Sequence, residues 1–312
     1  GSLASDLRRR DFTINTLAAD IDPDRYGEVT DLFGGVADLR RGRIRVLHSL
    51  SFVEDPTRIL RAVRLASRLG FTLEERTEGR LRDAVGLLRR VSPARIRSEM
   101  LQIFAEDDPE AVLLRLEDFG ALAAIEADFG AHVEALRSLQ ALPALRSVVV
   151  ARRPTLADEI ASPGPQAGLT LWLAAQGVPH AADRLALANR AAQGVAAVAA
   201  MVRAGGPADT EDPVALFGRL SKYRLDECVM AWAAAASRGP RVGLRTYVLR
   251  LVGTRTAITG ADLKDLGCPP GPALGQILEA ILEARLLDQA LTRDDQLALA
   301  RKLVAEVRQA PP

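Results

Sequence analysis

The sequence predicts a mainly α-helical protein that opens with a short stretch of mixed α/β structure. Three observations carry this. From Asp55 onward, apolar residues recur at helical spacing with few interruptions. Only 4% of the 312 residues are aromatic while 48% are hydrophobic, so the interior is built mainly from Ala, Leu and Val, as in helices packed through small side chains. The first fifty residues instead carry short strand-like runs broken by Gly and Asp. A chain of this length holds enough apolar material for two or more packed units.

Taken in order, residues 12–19 read as helix, and residues 28–33 and 43–47 as short strands. Gly34 and Gly35 mark a structural turn, where a missing Cβ permits positive φ or close backbone approach. Missing further strands, such a segment would have unpaired edges. Asp55 stands at a helix N-cap and Pro56 fits the first helical position. Ile59, Ala62, Val63, Ala66 and Leu69 then form an apolar face, with Arg58, Arg61 and Arg64 on the other side and Gly70 as the stop. Helices are predicted at residues 74–89, 93–105 (with Ser92 as cap and Pro93 in the first turn) and 108–118, followed by a turn at Phe119-Gly120. Residues 125–240 are Ala-rich, with breaks expected at Pro143, at Pro154, and near residues 163–165, 177–179 and 205–207. Trp172 and Trp232 are placed as core anchors. Beyond Arg245, Gly271-Pro272 opens another helix, whose free N–H groups suit an RNA phosphate or a plain helix start.

Composition excludes several classes. The formal charge is +1, yet the first hundred residues carry 19 arginines against 15 carboxylates, a modest excess suited to phosphate contact or to an arginine-rich solvated helix surface. Cys228 and Cys268 form no metal-type spacing and no disulfide framework, which makes a reducing cytoplasm the expected setting. His48, His132 and His180 are scattered, so no phosphohydrolase metal site is expected. No apolar run approaches the roughly 20 residues needed to cross a bilayer.

The segment from Ser51 to Arg64 is the most informative. An ionised Asp only accepts hydrogen bonds and an Arg only donates them, so the pair Asp55/Arg58 matches the amine donor and ring-nitrogen acceptor of cytosine or adenine. Guanine and uracil present the reverse and would leave buried groups unpaired. The same residues also fit an ordinary helix start with an (i, i+3) Asp–Arg pair on a solvated face.

Three further segments occur around it in one order. They are Asp6-Leu-Arg8-Arg9-Arg10-Asp11-Phe12-Thr13-Ile14-Asn15, Asp31-Leu32-Phe33-Gly34-Gly35-Val36-Ala37-Asp38, and Val91-Ser92-Pro93-Ala94-Arg95-Ile96-Arg97-Ser98-Glu99. With Glu54-Asp55-Pro56-Thr57-Arg58 they resemble the class II tRNA nucleotidyltransferase and bacterial poly(A) polymerase family. Residues 258–278 resemble that family's tail domain.

The resemblance implies a fold: the C-terminal remnant of an α/β nucleotidyltransferase head at 1–50, a helical neck at 51–124, a helical body at 125–244 and a helical tail at 245–312. It implies that Asp55 and Arg58 act as a protein template for incoming CTP or ATP, that Arg10, Arg61 and Arg64 bind the nucleotide, and that Asp11 and Asn15 support the site. It implies addition of CMP, AMP or both to the 3′ end of tRNA, with Mg²⁺ as cofactor. Lys264, Arg293 and Arg301 are weaker candidates for gripping tRNA.

The departures matter equally. The family's Gly-rich turn and metal-binding Asp-x-Asp precede Arg-Arg-Asp, whereas Asp20-Ile21-Asp22 follows it, and Pro23 suits a turn. The metal-binding pair is therefore expected upstream, and these 312 residues by themselves are expected to bind RNA without catalysing. Ala94 replaces the Glu that relatives commonly carry, which removes a capping-box contact. Poly(A) polymerase, a non-catalytic RNA-binding fragment and a helical scaffold that binds no nucleotide remain as alternatives. Oligomeric state is not legible.

Overall fold

The computed structural model describes residues 2–160, 164–178, 180–203, 212–235 and 242–309. The chain forms two compact units, Gly1–Pro143 with Ala161–Ala200 and Ala144–Ile160 with Met201–Pro312. Helices dominate both, as the apolar spacing predicts.

The first unit begins with α1 (Leu3–Leu7) and a 3-10 turn at Thr13–Asn15. β1 (Leu17–Ala19) then pairs antiparallel with β2 (Val29–Asp31), Leu17 lying opposite Asp31. Residues 12–19 are thus not the expected helix. The run is short and holds β-branched Thr13, Ile14 and Thr16, and the strands satisfy backbone groups that a single helical turn would leave open. Phe12 bridges to Val46 instead and is fully buried.

α2 (Gly35–Arg40) starts from Gly34, whose φ of 75° is left-handed. A Cβ on Gly35 would sit 2.3 Å from the Thr13 carbonyl oxygen, so the two glycines serve different needs, one conformational and one of close approach. Asp31 accepts from the backbone N–H groups of Gly35 and Val36, and Asp38 accepts from Thr13 Oγ1 at 2.6 Å and Arg45 Nε at 2.7 Å.

β3 (Arg43–Ile44) pairs in parallel with β4 (Thr72–Leu73). Between them lie α3 (Ser51–Glu54) and α4 (Thr57–Leu69), the latter ended by Gly70 in the left-handed region. α5 (Glu75–Ala84), a 3-10 stretch Val85–Arg90, α6 (Pro93–Ile103), α7 (Pro109–Asp118) and α8 (Ala121–Ile125) follow near the expected bounds. Ser92 is the N-cap residue of α6 but makes no side-chain cap bond, and Ala94 is exposed.

α9 (Val133–Arg152) runs through Pro143, where a break was expected. Proline removes one intrahelical bond, but helix formers such as Leu139, Ala141, Ala144 and Leu145 flank it and carry the helix on. α10 (Pro165–Gln176) holds Trp172, which is fully buried, donates to the Gly130 carbonyl at 2.9 Å and packs edge-on against Phe129. α11 (Ala181–Arg184) and α12 (Asn189–Arg203) follow. The core of this unit joins Ile59, Leu60, Val63, Leu81, Ile96, Met100, Leu113 and Trp172. The breaks expected at Pro163, Pro179 and residues 205–207 lie outside the described residues.

In the second unit, α13 (Pro213–Leu220), α14 (Leu225–Ala235) and α15 (Val242–Thr246) are followed by a π-helical turn at Tyr247–Leu251. Trp232 and Cys228 are buried there, and burial pushes the Cys228 thiol up to about 12. α16 (Gly260–Asp265), α17 (Pro272–Leu286) and α18 (Arg293–Gln309) enclose a small core of Ile258, Leu263, Ile277, Ile281, Ala300 and Val304. Arg293 pairs with Asp262. Among the described residues no helix is long and apolar enough to cross a membrane.

Candidate functional site

The start of α4 forms one wall of a cleft of about 490 Å³ in the first unit. Asp55, Thr57, Arg58 and Arg61 come from this wall, Arg95 and Glu99 from α6, and Arg9, Arg10, Asp11 and Asn15 from the segment between α1 and the 3-10 turn. Six of the seven residues expected at the nucleotide site therefore meet at one place.

Asp55 sits in extended backbone, φ −141° and ψ 94°, between α3 and α4. Its Oδ1 accepts from the Thr57 N–H at 3.1 Å and the Thr57 hydroxyl at 2.6 Å, which is what a capping carboxylate does. The same oxygen accepts from Arg95 Nη2 at 2.7 Å. Burial pushes the Asp55 carboxyl up, but the Thr57 hydrogen bonds and the Arg95 charge outweigh it and hold the group below the usual carboxylate range. Asp55 is ionised at neutral pH and can only accept.

Arg58 is held loosely. Its Nη1 lies 3.4 Å from the Ser51 carbonyl oxygen and 3.3 Å from Ser51 Oγ, and its Nη2 lies 3.4 Å from the Arg9 carbonyl oxygen. Contacts at the long edge of hydrogen bonding leave the guanidinium able to exchange them for a better acceptor.

Arg61 is held firmly. Its Nε and Nη2 both point to Asp11 Oδ2, at 2.8 and 2.6 Å, and its Nη1 lies 3.8 Å from Glu99. Asp11 Oδ1 accepts from Asn15 Nδ2 at 2.8 Å and the Phe12 N–H at 3.0 Å. Burial pushes the Asp11 carboxyl up, and Asn15 together with Arg61 more than offset this and lower it. Arg10 is exposed at the rim and pairs with Asp6 at 3.0 Å.

Arg64 lies outside the lining. It is only 8% exposed and donates to Glu106 Oε1 and Gln102 Oε1, each at 2.7 Å. The reason is helical geometry: a three-residue step at about 100° per residue winds the stripe back by about 60° each time, so the third arginine faces the neighbouring helix.

Thr57, Arg95 and Glu99 were given no role by sequence reasoning. The Asp-x-Thr spacing signals local capping, and Arg95 and Glu99 lie four apart on α6, beside the buried face of Ile96, Met100 and Ile103. Nothing local links them to Asp55, forty residues away. Glu99 is 8% exposed, its Oε2 has no hydrogen-bond partner, and burial pushes its carboxyl above the usual range against the pull of Arg61 and Arg64.

Among the described residues no three His, Cys, Asp or Glu side chains converge to hold a metal. Asp20 and Asp22 belong to the β1–β2 connection. Asp20 accepts from the Asp22 N–H and pairs with Arg25 at 2.8 Å, while Asp22 caps the following 3-10 turn through the Asp24 N–H. Both carboxylates are engaged in these local bonds and join no converging oxygen cluster, so they do not form a Mg²⁺ site.

Together the cleft offers one oriented carboxylate, one loosely held guanidinium and further cations within a nucleotide-sized space. Two family profiles match the chain, "Poly A polymerase head domain" over residues 1–45 and "Probable RNA and SrmB- binding site of polymerase A" over residues 70–127. An A-adding tRNA nucleotidyltransferase of Geobacter sulfurreducens is 34% identical over 97% of this chain, which spans 35% of that protein's length. A CC-adding tRNA nucleotidyltransferase of the same organism is 32% identical over 97% of this chain and 75% of its own length. The Thermotoga maritima CCA-adding enzyme, solved in complex with tRNA, superposes with a TM-score of 0.72 at 28% identity, covering 98% of this chain and 74% of that one.

Proposed function

Because this chain belongs to the tRNA nucleotidyltransferase (CCA-adding enzyme) family, we propose that its cleft selects CTP, ATP or both for addition to the 3′ end of tRNA. The observation that carries this is the convergence of Asp55, Arg58, Arg61 and Arg10 on one cleft.

The chemistry of selection follows from donors and acceptors. Asp55 accepts from the exocyclic amine of cytosine or adenine, and Arg58 donates to the adjacent ring nitrogen. Uracil and guanine bring a carbonyl to the carboxylate and an N–H to the guanidinium, leaving each polar group facing its own kind. Arg61 and Arg10 supply positive charge for the phosphates. Arg64 ties α4 to Gln102 at the end of α6 and to Glu106 just beyond it, and so positions the wall that carries the readers. The described residues offer no ligand set for the Mg²⁺ on which this family generally depends, so this chain's own part is base selection, charge neutralisation and orientation.

The division into head at 1–50, neck at 51–124, body at 125–244 and tail at 245–312 is part of the same reading, with tRNA as the macromolecular partner and the cytoplasm as the setting. Titration of the whole chain with CTP, UTP, ATP and GTP tests it. CTP and ATP are expected to bind at least about tenfold tighter than UTP and GTP, a margin well below the roughly 10⁴-fold that a site built to bond a polar edge can reach. Asp55→Asn, whose amide both donates and accepts, should remove most of that preference. Equal binding of all four by the unmodified chain would overturn the reading.

A further inference from the structure

The two carboxylate oxygens of Asp55 are used unequally. Oδ1 takes all three available donors, the Thr57 N–H, the Thr57 hydroxyl and Arg95 Nη2. Oδ2 has no hydrogen-bond partner among the described residues, and Asp55 lines the cleft. The three side chains also close a ring, since Arg95 Nη2 donates to Thr57 Oγ1 at 3.1 Å while that hydroxyl donates to Asp55. Thr57 is 2% exposed and cannot turn away without leaving its hydroxyl unpaired.

A free carboxylate rotates, and either oxygen then meets an incoming base at a range of angles. With Oδ1 saturated, χ2 of Asp55 is fixed and a single oxygen remains to accept from a base amine. We propose that Arg95 and Thr57 are positioning residues for base selection: by pinning Asp55 Oδ1 they present Oδ2 as the sole reading atom. This rests on the selection role proposed above for Asp55. Arg95 does not compete with the base, because its bond goes to the oxygen that does not read.

A merely structural role is distinguishable from this one. Loss of a part of α6 packing would weaken binding of every nucleotide alike, whereas loss of the pin acts on the base edge. It would also move the pH dependence. Asp55 faces Arg95 and Glu99 from α6 and Arg61 from α4, and Arg95 is among the groups that keep its carboxyl low. Without Arg95 the carboxyl protonates at a higher pH, and a protonated acid no longer presents the acceptor.

The test is calorimetric titration of the full chain and its Arg95→Met, Arg95→Lys, Thr57→Val and Thr57→Ser variants with CTP and UTP, from pH 5 to 8. Arg95→Met and Thr57→Val should each lower the CTP/UTP affinity ratio by about tenfold, the worth of one charge-assisted hydrogen bond. Thr57→Ser should retain the preference and Arg95→Lys should recover part of it. The acidic limb of CTP binding should move to higher pH in Arg95→Met. Thermal melting identifies any variant that fails to fold, and the two conservative variants then decide the matter. An unchanged CTP/UTP ratio in folded Arg95→Met and Thr57→Val would overturn the inference while leaving the selection role of Asp55 standing. Tighter CTP binding in Arg95→Met would also overturn it, by making Arg95 a competitor. Absence of CTP preference in the unmodified chain is the separate result that removes the underlying reading.

Discussion

Replacing Arg64 by Met separates an arginine that touches nucleotide from one that builds the wall. Arg64 makes two charge-assisted hydrogen bonds of 2.7 Å, to Glu106 and Gln102, and its side chain and that of Glu106 are 10% and 11% exposed. Methionine matches the aliphatic stem and removes both bonds, leaving Glu106 with only Arg68 at 3.8 Å. Breaking a buried pair from one side costs about 3–5 kcal/mol, and the remaining Arg68 places the expected loss near the lower end, about 3 kcal/mol. For a folding unit of roughly 180 residues this lowers the melting temperature by about 6–12 °C. The assay pairs thermal or urea unfolding with CTP and UTP titration at a temperature where the variant is folded. Stability should fall while the CTP/UTP ratio stays within about twofold of the unmodified chain, because no donor that faces the cleft is lost. Adding Glu106→Leu to Arg64→Met should recover part of the loss, since the stranded charge goes with it. An Arg64→Met variant of full stability that binds every triphosphate about tenfold more weakly would refute the reasoning and move Arg64 into the cleft.

Two further outcomes are expected. Gly35→Ala drives a methyl to 2.3 Å from the Thr13 carbonyl oxygen, so α2 must shift away; a loss of about 1–3 kcal/mol in urea unfolding is expected, and an unchanged midpoint would show that the approach is not tight. Glu99 is raised by burial, so the folded state holds its proton more strongly than the unfolded chain does: its contribution weakens stability as pH rises through the folded value, opposite in sign to the lowered Asp11 and Asp55. Stability measured against pH should therefore rise for Glu99→Gln relative to the unmodified chain at pH 7, with the two curves converging toward pH 4; parallel curves would exclude this role for Glu99.

Much of the architecture was legible in the residues themselves. Helix α4 follows from a capping Asp55, Pro56 and an apolar stripe ended by Gly70, all of which are local signals whose energies act within a few residues. The placement of Asp55 and Arg58 at one helix start was legible for the same reason, although the two do not bond each other: Asp55 turns to Thr57 and Arg95, and Arg58 to Ser51 and the Arg9 carbonyl. Misreadings arose where local preference competes with distant partners. Residues 12–19 carry an apolar spacing compatible with a helix, yet Leu17–Ala19 found a strand partner at Val29–Asp31. At Pro143 a strong local breaker was overridden by the helix formers around it.

By itself, then, the order of residues determined the helices, their ends, and the presence of a carboxylate and guanidinium suited to amine-bearing bases. Only the tertiary structure decided which groups hold that carboxylate and which arginine leaves the cleft. Arg95 meets Asp55 from α6, and Arg64 turns from the stripe to Glu106, across separations of 40 and 42 residues. Such contacts exist because the core of Ile59, Val63, Ile96 and Met100 packs α4 against α6, and no spacing along the chain encodes the angle at which two helices meet.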